Sequence, residues 1–274
     1  MKYEIIKNYN DSKFKRAVGM KRELFEVLVE VLSLAQKEKH KKGGRKPKLS
    51  IENILVLFLT YYRDYNTFFS LATIFGIDSS NAFRWVKWCE IVLSNIFKFM
   101  IYDITNIEQL NKIHLHLVDV TECSIQRPKV HEIQKEYYSG KKKKNTIKIQ
   151  IIVDEVTKQI VGVAFDKGSV HDFKLFKETT KDLDKEISFV ADNGYVGINN
   201  IFENSITPKK KSKNNPLTDE DKELNKLISN IRIPVEHINC QVKIFRILSE
   251  RYRSRRKTFY LRALLICCFY NFCI

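Results

Sequence analysis

Absences narrow the field first. No stretch of the 274 residues reaches the roughly 18 to 20 consecutive apolar residues of a membrane-spanning helix, and the apolar tail from Leu261 to Ile274 is too short and carries Arg262. No membrane partner is therefore expected. The opening Met1-Lys-Tyr-Glu-Ile-Ile-Lys-Asn lacks the long apolar core of a secretory signal, so cytoplasmic residence is the expectation. None of the six cysteines (Cys89, Cys123, Cys240, Cys267, Cys268, Cys273) forms a CxxC pair or a zinc-ligand spacing, which points to reduced, mostly buried thiols. No internal repeat is visible. Acids are scarce, 32 against 48 lysines and arginines, and the resulting charge of +16 favours a polyanionic partner, nucleic acid ahead of an anionic membrane surface.

What is present divides in two. The apolar residues of Glu23-Leu-Phe-Glu-Val-Leu-Val-Glu-Val-Leu-Ser-Leu fall at helical spacings. A charge run follows, Lys37 to Lys48, whose glycines and proline make it a basic arm or a solvated linker; Arg45, Lys46 and Lys48 are its candidate phosphate contacts. Ser50 is placed to cap a helix over Ile51 to Arg63, and Thr67 to Phe75 forms another. Gly76-Ile-Asp78 turns the chain, and Ser79 or Ser80 caps a second helix from Asn81 through Trp88. Helix, glycine turn and a helix with a polar start make a helix-turn-helix pattern, with Arg84 and Lys87 as DNA-facing candidates, although a plain helical hairpin looks alike.

From about residue 113 the period changes. His114 to Val120, Ile147 to Val153 and Gln159 to Phe165 read as strands, the last two as a hairpin. A helix over His171 to Thr180, a buried strand over Ile187 to Ala191, a basic loop over 207–216, a helix from Glu220 to Asn230 and a helical C-terminus complete the chain. The fold class is α/β: a mixed-sheet core over 106–274 behind an all-α helix-turn-helix region over 1–105.

Three acids stand out by position. Asp119 lies inside an apolar strand, where an ionised side chain is costly to bury without a partner. Asp192 ends the last strand ahead of Asn193-Gly194-Tyr195. Glu236 lies on a helix opening at Pro234, sharing a face with Asn239, Cys240 and Lys243, with Arg232 just ahead. If these elements neighbour one another, three carboxylates converge on a pair of divalent cations, which activate the attacking oxygen and stabilise the leaving one in phosphodiester chemistry. Each acid also has a plainer reading: an edge-strand charge, an Asx turn, a surface ion-pair ladder. His114 and His116, an HxH pair on one strand face, are weak metal candidates, and Glu122 is a candidate outer partner of the metal site. Tyr137, Tyr138 and Lys141, Lys142, Lys143 and Lys144 suit either a phosphate-contacting turn or a solvated hairpin.

In the order Val118-Asp119-Val-Thr-Glu122, Lys135-Glu-Tyr-Tyr-Ser-Gly140-Lys-Lys-Lys-Lys, Gly168-Ser-Val-His171-Asp172, Ala191-Asp192-Asn-Gly-Tyr195 and Arg232-Ile-Pro-Val-Glu236-His, the chain resembles the DDE transposases of bacterial insertion sequences, in particular the insertion-sequence-five group. The resemblance implies a helix-turn-helix before an RNase H-like catalytic core. Asp119, Asp192 and Glu236 would be its catalytic, metal-binding triad for two Mg²⁺ ions, with Mn²⁺ able to substitute. Arg232, Glu236 and Lys243 match the family's spacing around the glutamate, while Ser229 stands where a tyrosine is usual; Arg232 and Lys243 would steady DNA phosphates. The segment from Asp192 to Glu236 leaves no room for a large inserted domain. Implied with the family are double-stranded DNA as partner (transposon ends and target), a homodimer or larger assembly on it, and a bacterial cytoplasm, at the nucleoid when bound. A plain metal-dependent nuclease and a non-catalytic DNA-binding regulator or inactive remnant are the alternatives.

Overall fold

The computed structural model describes residues 2–41, 43, 46–107, 110–211 and 216–274; Arg45, one of the phosphate candidates, lies outside them. By contact the chain forms two compact units: residues 1–101 with 242–250 and 254–274, and residues 102–241 with 251–253.

The first unit is helical. It contains α1 (Tyr3–Ile6), α2 (Asp11–Val18), α3 (Arg22–Lys41), α4 (Ile51–Asp64), α5 (Phe68–Phe75) and α6 (Ser79–Ile96), with α7 (Lys98–Thr105) at its end. Ser50 caps α4, as the sequence suggests, and Thr67, read from the sequence as the first residue of its helix, instead caps α5; each accepts from the backbone N–H three residues on. The cap of α6 is Asp78, whose carboxylate accepts from the N–H and the hydroxyl of Ser80, in place of the serine expected there. An ionised cap adds favourable charge at the positive helix end and outcompetes a hydroxyl one residue later. Between α5 and α6, Gly76 adopts a left-handed φ of 66°, a conformation a side chain would strain. The centre of the unit is α4, buried almost all round and therefore without a polar face.

The second unit is built on a mixed sheet. Its elements are β1 (Leu115–Ser124), α8 (His131–Tyr137), β2 (Tyr138–Ser139), β3 (Lys144–Asp154), β4 (Ile160–Lys167), α9 (Asp172–Thr179), β5 (Ser188–Val190) and α10 (Asp219–Lys243). β3 lies antiparallel to both β1 and β4, and β5 pairs parallel to β1 on its other edge, giving β4-β3-β1-β5 across the sheet. Three antiparallel strands followed by a parallel one beside the first is the RNase H-like arrangement. The hairpin expected over these two segments is present as β3 and β4, with β3 buried along nearly its whole length. An aromatic cluster of Phe176, Phe189, Tyr195 and Phe202 fills the space beside the sheet, its rings meeting edge to face.

After α10 the chain returns to the first unit through α11 (Arg246–Ser249) and α12 (Phe259–Asn271). There Arg262, 2% exposed, donates to the carboxylate of Glu90, 1% exposed, at 2.6 Å and to the hydroxyl of Tyr61 at 3.2 Å. Four of the six cysteines are buried and all six are free. Among the described residues no helix is long and apolar enough to cross a membrane.

Candidate active site and nucleic-acid surface

β1 and β5 set the two aspartates. Leu117 pairs with Val190 in the parallel register, and two residues further along each chain come Asp119 and Asp192. Asp119 is still within β1, whereas β5 ends at Val190 and Asp192 follows two residues later in extended backbone as the cap of the next turn; neighbouring strands lie about 4.8 Å apart. The closeness appears in the electrostatics: burial pushes the Asp119 carboxyl up to about 6, the Arg232 guanidinium pulls it down, and the charge of Asp192 raises it again. Asp192 caps the single 3₁₀ turn 193–195, one oxygen accepting from the N–H of Gly194 at 2.7 Å.

Gly194 makes room for that carboxylate. A methyl group there would sit 2.8 Å from Asp192 Oδ1, so the carboxylate, the mobile partner, must turn. Gly194→Ala is expected to leave thermal stability within about 1 kcal/mol of the parent and to lower DNA cleavage by about 10²-fold, the usual effect of an ångström-scale misplacement. Unfolding curves paired with single-turnover cleavage separate the two quantities; cleavage at the parental rate would mean that the turn does not place Asp192.

The third acid arrives on a longer helix than its sequence suggests. Proline removes a backbone donor and crowds the carbonyl four residues back, hence the expectation that a helix opens at Pro234. The helix instead runs unbroken from Asp219 to Lys243 with Pro234 inside it. Ile228, Val235 and Ile238, spaced along one buried stripe, offset the lost bond. Arg232 consequently lies one turn before Glu236 on the same helix, not ahead of it. Its guanidinium, 12% exposed, stands 3.5 Å from Asp119 and 3.8 Å from Glu236. It bridges carboxylates from within, and its Nε is buried without a partner.

Asn239, which shares the face of Glu236, completes the surroundings of Asp119. Its Nδ2 donates to Asp119 Oδ2 at 2.8 Å, and its own Oδ1 is buried and unpartnered. The i, i+3 spacing from Glu236 carried that signal in the sequence, but only the structure shows which carboxylate it serves. Ser229, at the position where a tyrosine is usual, is exposed and returns its hydroxyl to the carbonyl of Asn225.

The structure thus brings Asp119 and Asp192 together and ties Glu236 to them through Arg232. Among the described residues it does not gather three or more His, Cys, Asp or Glu side chains into one metal-holding group. The HxH pair is separated in function: His114 bonds to Asp154 at 2.5 Å, and His116 is buried against Phe189 with neither ring nitrogen paired, burial pushing its pKa down. Glu122 accepts from the hydroxyls of Ser139 and Thr146. His171 caps α9, accepting from the N–H of Phe173, and Asp172 pairs with the buried ammonium of Lys148 at 2.6 Å.

The basic candidates fall into separate places. In the first unit, Lys46, Lys48 and Arg84 line one groove of about 630 Å³ with Trp85 and Trp88. The ammonium of Lys39 lies over both indole rings, and that of Lys48 donates to the carbonyl of Gly76. Lys87 is half-buried and pairs with Glu90 at 2.5 Å. In the second unit, Lys141, Lys142, Lys143 and Lys144 are exposed where β2 turns into β3. Lys243 is the last residue of α10.

An RNase H-like sheet carrying adjacent aspartates at its β1/β5 edge, on a chain that also holds two helices joined by a glycine turn, defines a nuclease-type core accompanied by a helix-turn-helix module. Family comparison agrees on both parts. Residues 118–270 match the DDE superfamily endonucleases and residues 47–99 match the helix-turn-helix of DDE superfamily endonucleases. The chain is 38% identical over 273 residues, covering 99% of itself and 98% of the relative, to a protein of Microchaete diplosiphon described as a probable transposase for insertion sequence element IS702. The chain belongs to the DDE transposases of insertion sequences.

Membership implies use of a divalent metal. The donor set fits one: two neighbouring carboxylates, one with a raised pKa, are mutually repelled until a cation lies between them, and Mg²⁺ is commonly held by one or two carboxylates, keeping its remaining positions for water and phosphate.

Proposed function

We propose that this transposase binds the terminal inverted repeats of its own insertion sequence, hydrolyses a phosphodiester at each end, and joins the freed 3′-hydroxyl to target DNA. The observation that carries the reading is the register that sets Asp119 beside Asp192, with Glu236 one salt bridge away. Asp119 and Asp192, with Glu236 completing the set, would hold two Mg²⁺ ions (Mn²⁺ substituting), which supply activation of the attacking oxygen and stabilisation of the leaving one. Asn239 and Arg232 fix the orientation of the Asp119 carboxylate, so that no reorganisation is needed at the moment of reaction. In the first step water attacks phosphorus and the 3′ oxygen leaves as the hydroxyl. In the second that hydroxyl is the nucleophile and a target 3′ oxygen leaves, so the count of phosphodiester bonds is unchanged.

The helix-turn-helix region to residue 105 reads the repeats, with Arg84 near the start of α6 and Lys46 and Lys48 on the groove beside it placed for DNA. Residues 106–274 form the catalytic domain as a functional division, although α12 packs with the first unit. Two ends must be held at once, so a homodimer or larger assembly on double-stranded DNA, in a bacterial cytoplasm, belongs to this reading.

Strand transfer separates a transposase from a simple nuclease. With a labelled duplex carrying the element's end, a supercoiled target plasmid and Mg²⁺, covalently joined products are expected. Cleaved ends without joined products would leave only nuclease activity.

A further inference from the structure

The second unit carries a basic cradle to which no role attaches in the catalytic reading. Its walls are Arg127 after β1, His131 and Lys135 on α8, and Tyr138, Lys143 and Lys144 on the β2–β3 hairpin, around a volume of about 490 Å³. The frame is fixed by neutral groups. Gln134 takes the Nε–H of Arg127 on its side-chain oxygen at 2.9 Å and gives its amide to the carbonyl of Pro128 at 2.8 Å. Asn145 donates to the carbonyl of Gln134 at 2.8 Å, tying α8 to β3.

Three features point outward to a ligand. Arg127, Lys135, Lys143 and Lys144 are all exposed and, among the described residues, none forms an ion pair. Four like charges around one cavity repel one another and so favour an anion between them. Lys143 holds a left-handed φ of 53°, a strained conformation for a lysine, at the turn that sets its side chain on the cradle wall. Tyr138, 46% exposed, lines the same cradle, and a tyrosine hydroxyl is one of the side-chain groups that contact phosphate and sugar in a duplex.

Position supplies the rest. The cradle opens past the carboxyl end of β1, and Asp119 lies five residues before Ser124 on that strand. At a rise of about 3.4 Å per residue this is roughly 17 Å, about half a turn of B-form DNA. A duplex whose scissile phosphate lies at the aspartates has further phosphates within that reach.

We infer that the Arg127–Lys135–Lys143–Lys144 cradle is a second DNA site, gripping the phosphodiester backbone of the cleaved duplex about half a turn from the scissile bond, independently of sequence. This rests on the transposase reading. Phosphate contacts position a duplex without reading its bases, so the cradle fixes which phosphate reaches Asp119 and Asp192 while the helix-turn-helix chooses the site.

The test uses full-length protein and two fluorescent duplexes of about 40 base pairs, the element's end and a scrambled sequence, titrated from 50 to 300 mM salt. Each phosphate contact removed lowers the slope of log K against log salt by about 0.9. Arg127→Ala/Lys143→Ala/Lys144→Ala is expected to lower the slope by about 2 to 3 on both duplexes, and Lys143→Arg/Lys144→Arg to keep it. An unchanged slope in the triple variant overturns the inference. In the unmutated protein, acetylation with and without DNA gives a second reading: Lys135, Lys143 and Lys144 are expected to be protected by either duplex, and full reactivity in the complex overturns the inference without any variant. Parent protein that binds neither duplex would instead contradict the transposase reading itself, a distinct outcome.

Discussion

Asp119→Asn is expected to produce a protein that is more stable without metal and inert with it. The carboxyl of Asp119 titrates near 6 in the folded protein, chiefly because it is buried, against an ordinary 3.8. Between these values the folded state holds a proton that the unfolded state has lost. The contribution of Asp119 to stability is therefore full below about pH 4 and disappears as pH rises through 6. At pH 7.5 the ionised form costs at most about 3 kcal/mol, from roughly two pKa units at 1.36 kcal/mol each. An asparagine is neutral at every pH. The metal-free variant is expected to melt higher than the parent at pH 7.5 and at the same temperature near pH 4. Mg²⁺ is expected to stabilise the parent by mass action and the variant little. Metal-dependent cleavage is expected to fall by about 10³-fold or more, about 4 kcal/mol of lost transition-state stabilisation. Thermal melts at the two pH values, with and without Mg²⁺, measure the first part, and a parental melting temperature at pH 7.5 would mean that burial does not strain this carboxylate.

The second large effect lies in the helical unit. Glu90 receives Arg262 at 2.6 Å, Lys87 at 2.5 Å and the hydroxyl of Tyr62 at 3.3 Å, in a place where both Glu90 and Arg262 are almost wholly enclosed. Removing Glu90 takes the carboxylate from the buried Arg262, and removing Arg262 leaves the enclosed Glu90 carboxylate with the half-buried Lys87 as its partner cation. Arg262→Met is expected to cost 3 to 5 kcal/mol, of the order found for broken buried pairs, and Glu90→Gln/Arg262→Met to recover most of it. Equilibrium urea unfolding of the three variants measures this; a loss below about 1 kcal/mol for Arg262→Met would show that water reaches the pair. Because the pair joins α6 to α12, truncation before Phe259 is expected to unfold the helix-turn-helix region as well.

These two results separate what the sequence carries from what packing decides. The change of hydrophobic period near residue 113 exposes the helical and sheet-bearing parts, and Ser50 and Thr67 announce their helices through local hydrogen bonds alone. Asp119 and Asp192 are legible because an acid within or at the end of an apolar strand needs a reason. The register that makes them neighbours is a contact between segments some seventy residues apart, which no local pattern specifies. The helix through Pro234 departs from its local signal for a related reason. The local cost of proline is written in the sequence, whereas the burial of Val235 and Ile238 that offsets it depends on tertiary neighbours. Arg232 reads as a phosphate contact when it stands ahead of a helix. Once the helix is continuous, the same residue faces Asp119 and Glu236 and acts as their counter-ion. Lys87 follows the same logic: its spacing to Glu90 is i, i+3, but that Glu90 is enclosed, and so draws the lysine inward, is decided by tertiary packing. The basic cradle was legible only in its four consecutive lysines, since Arg127 and Lys135 reach it through the fold of α8 and β2.

The most direct measurement is a cleavage assay on a labelled duplex carrying the element's end, comparing the parent with Asp192→Asn in Mg²⁺ and in Mn²⁺ at equal DNA occupancy. Asp192 sits beside Asp119 by the register of β1 and β5, and its carboxylate is held by Gly194. The parent is expected to release a 3′-hydroxyl end only when a divalent metal is present, and Asp192→Asn to bind the same DNA while cleaving about 10³-fold more slowly. Equal cleavage by the two proteins would contradict the assignment of the aspartate pair as the catalytic centre.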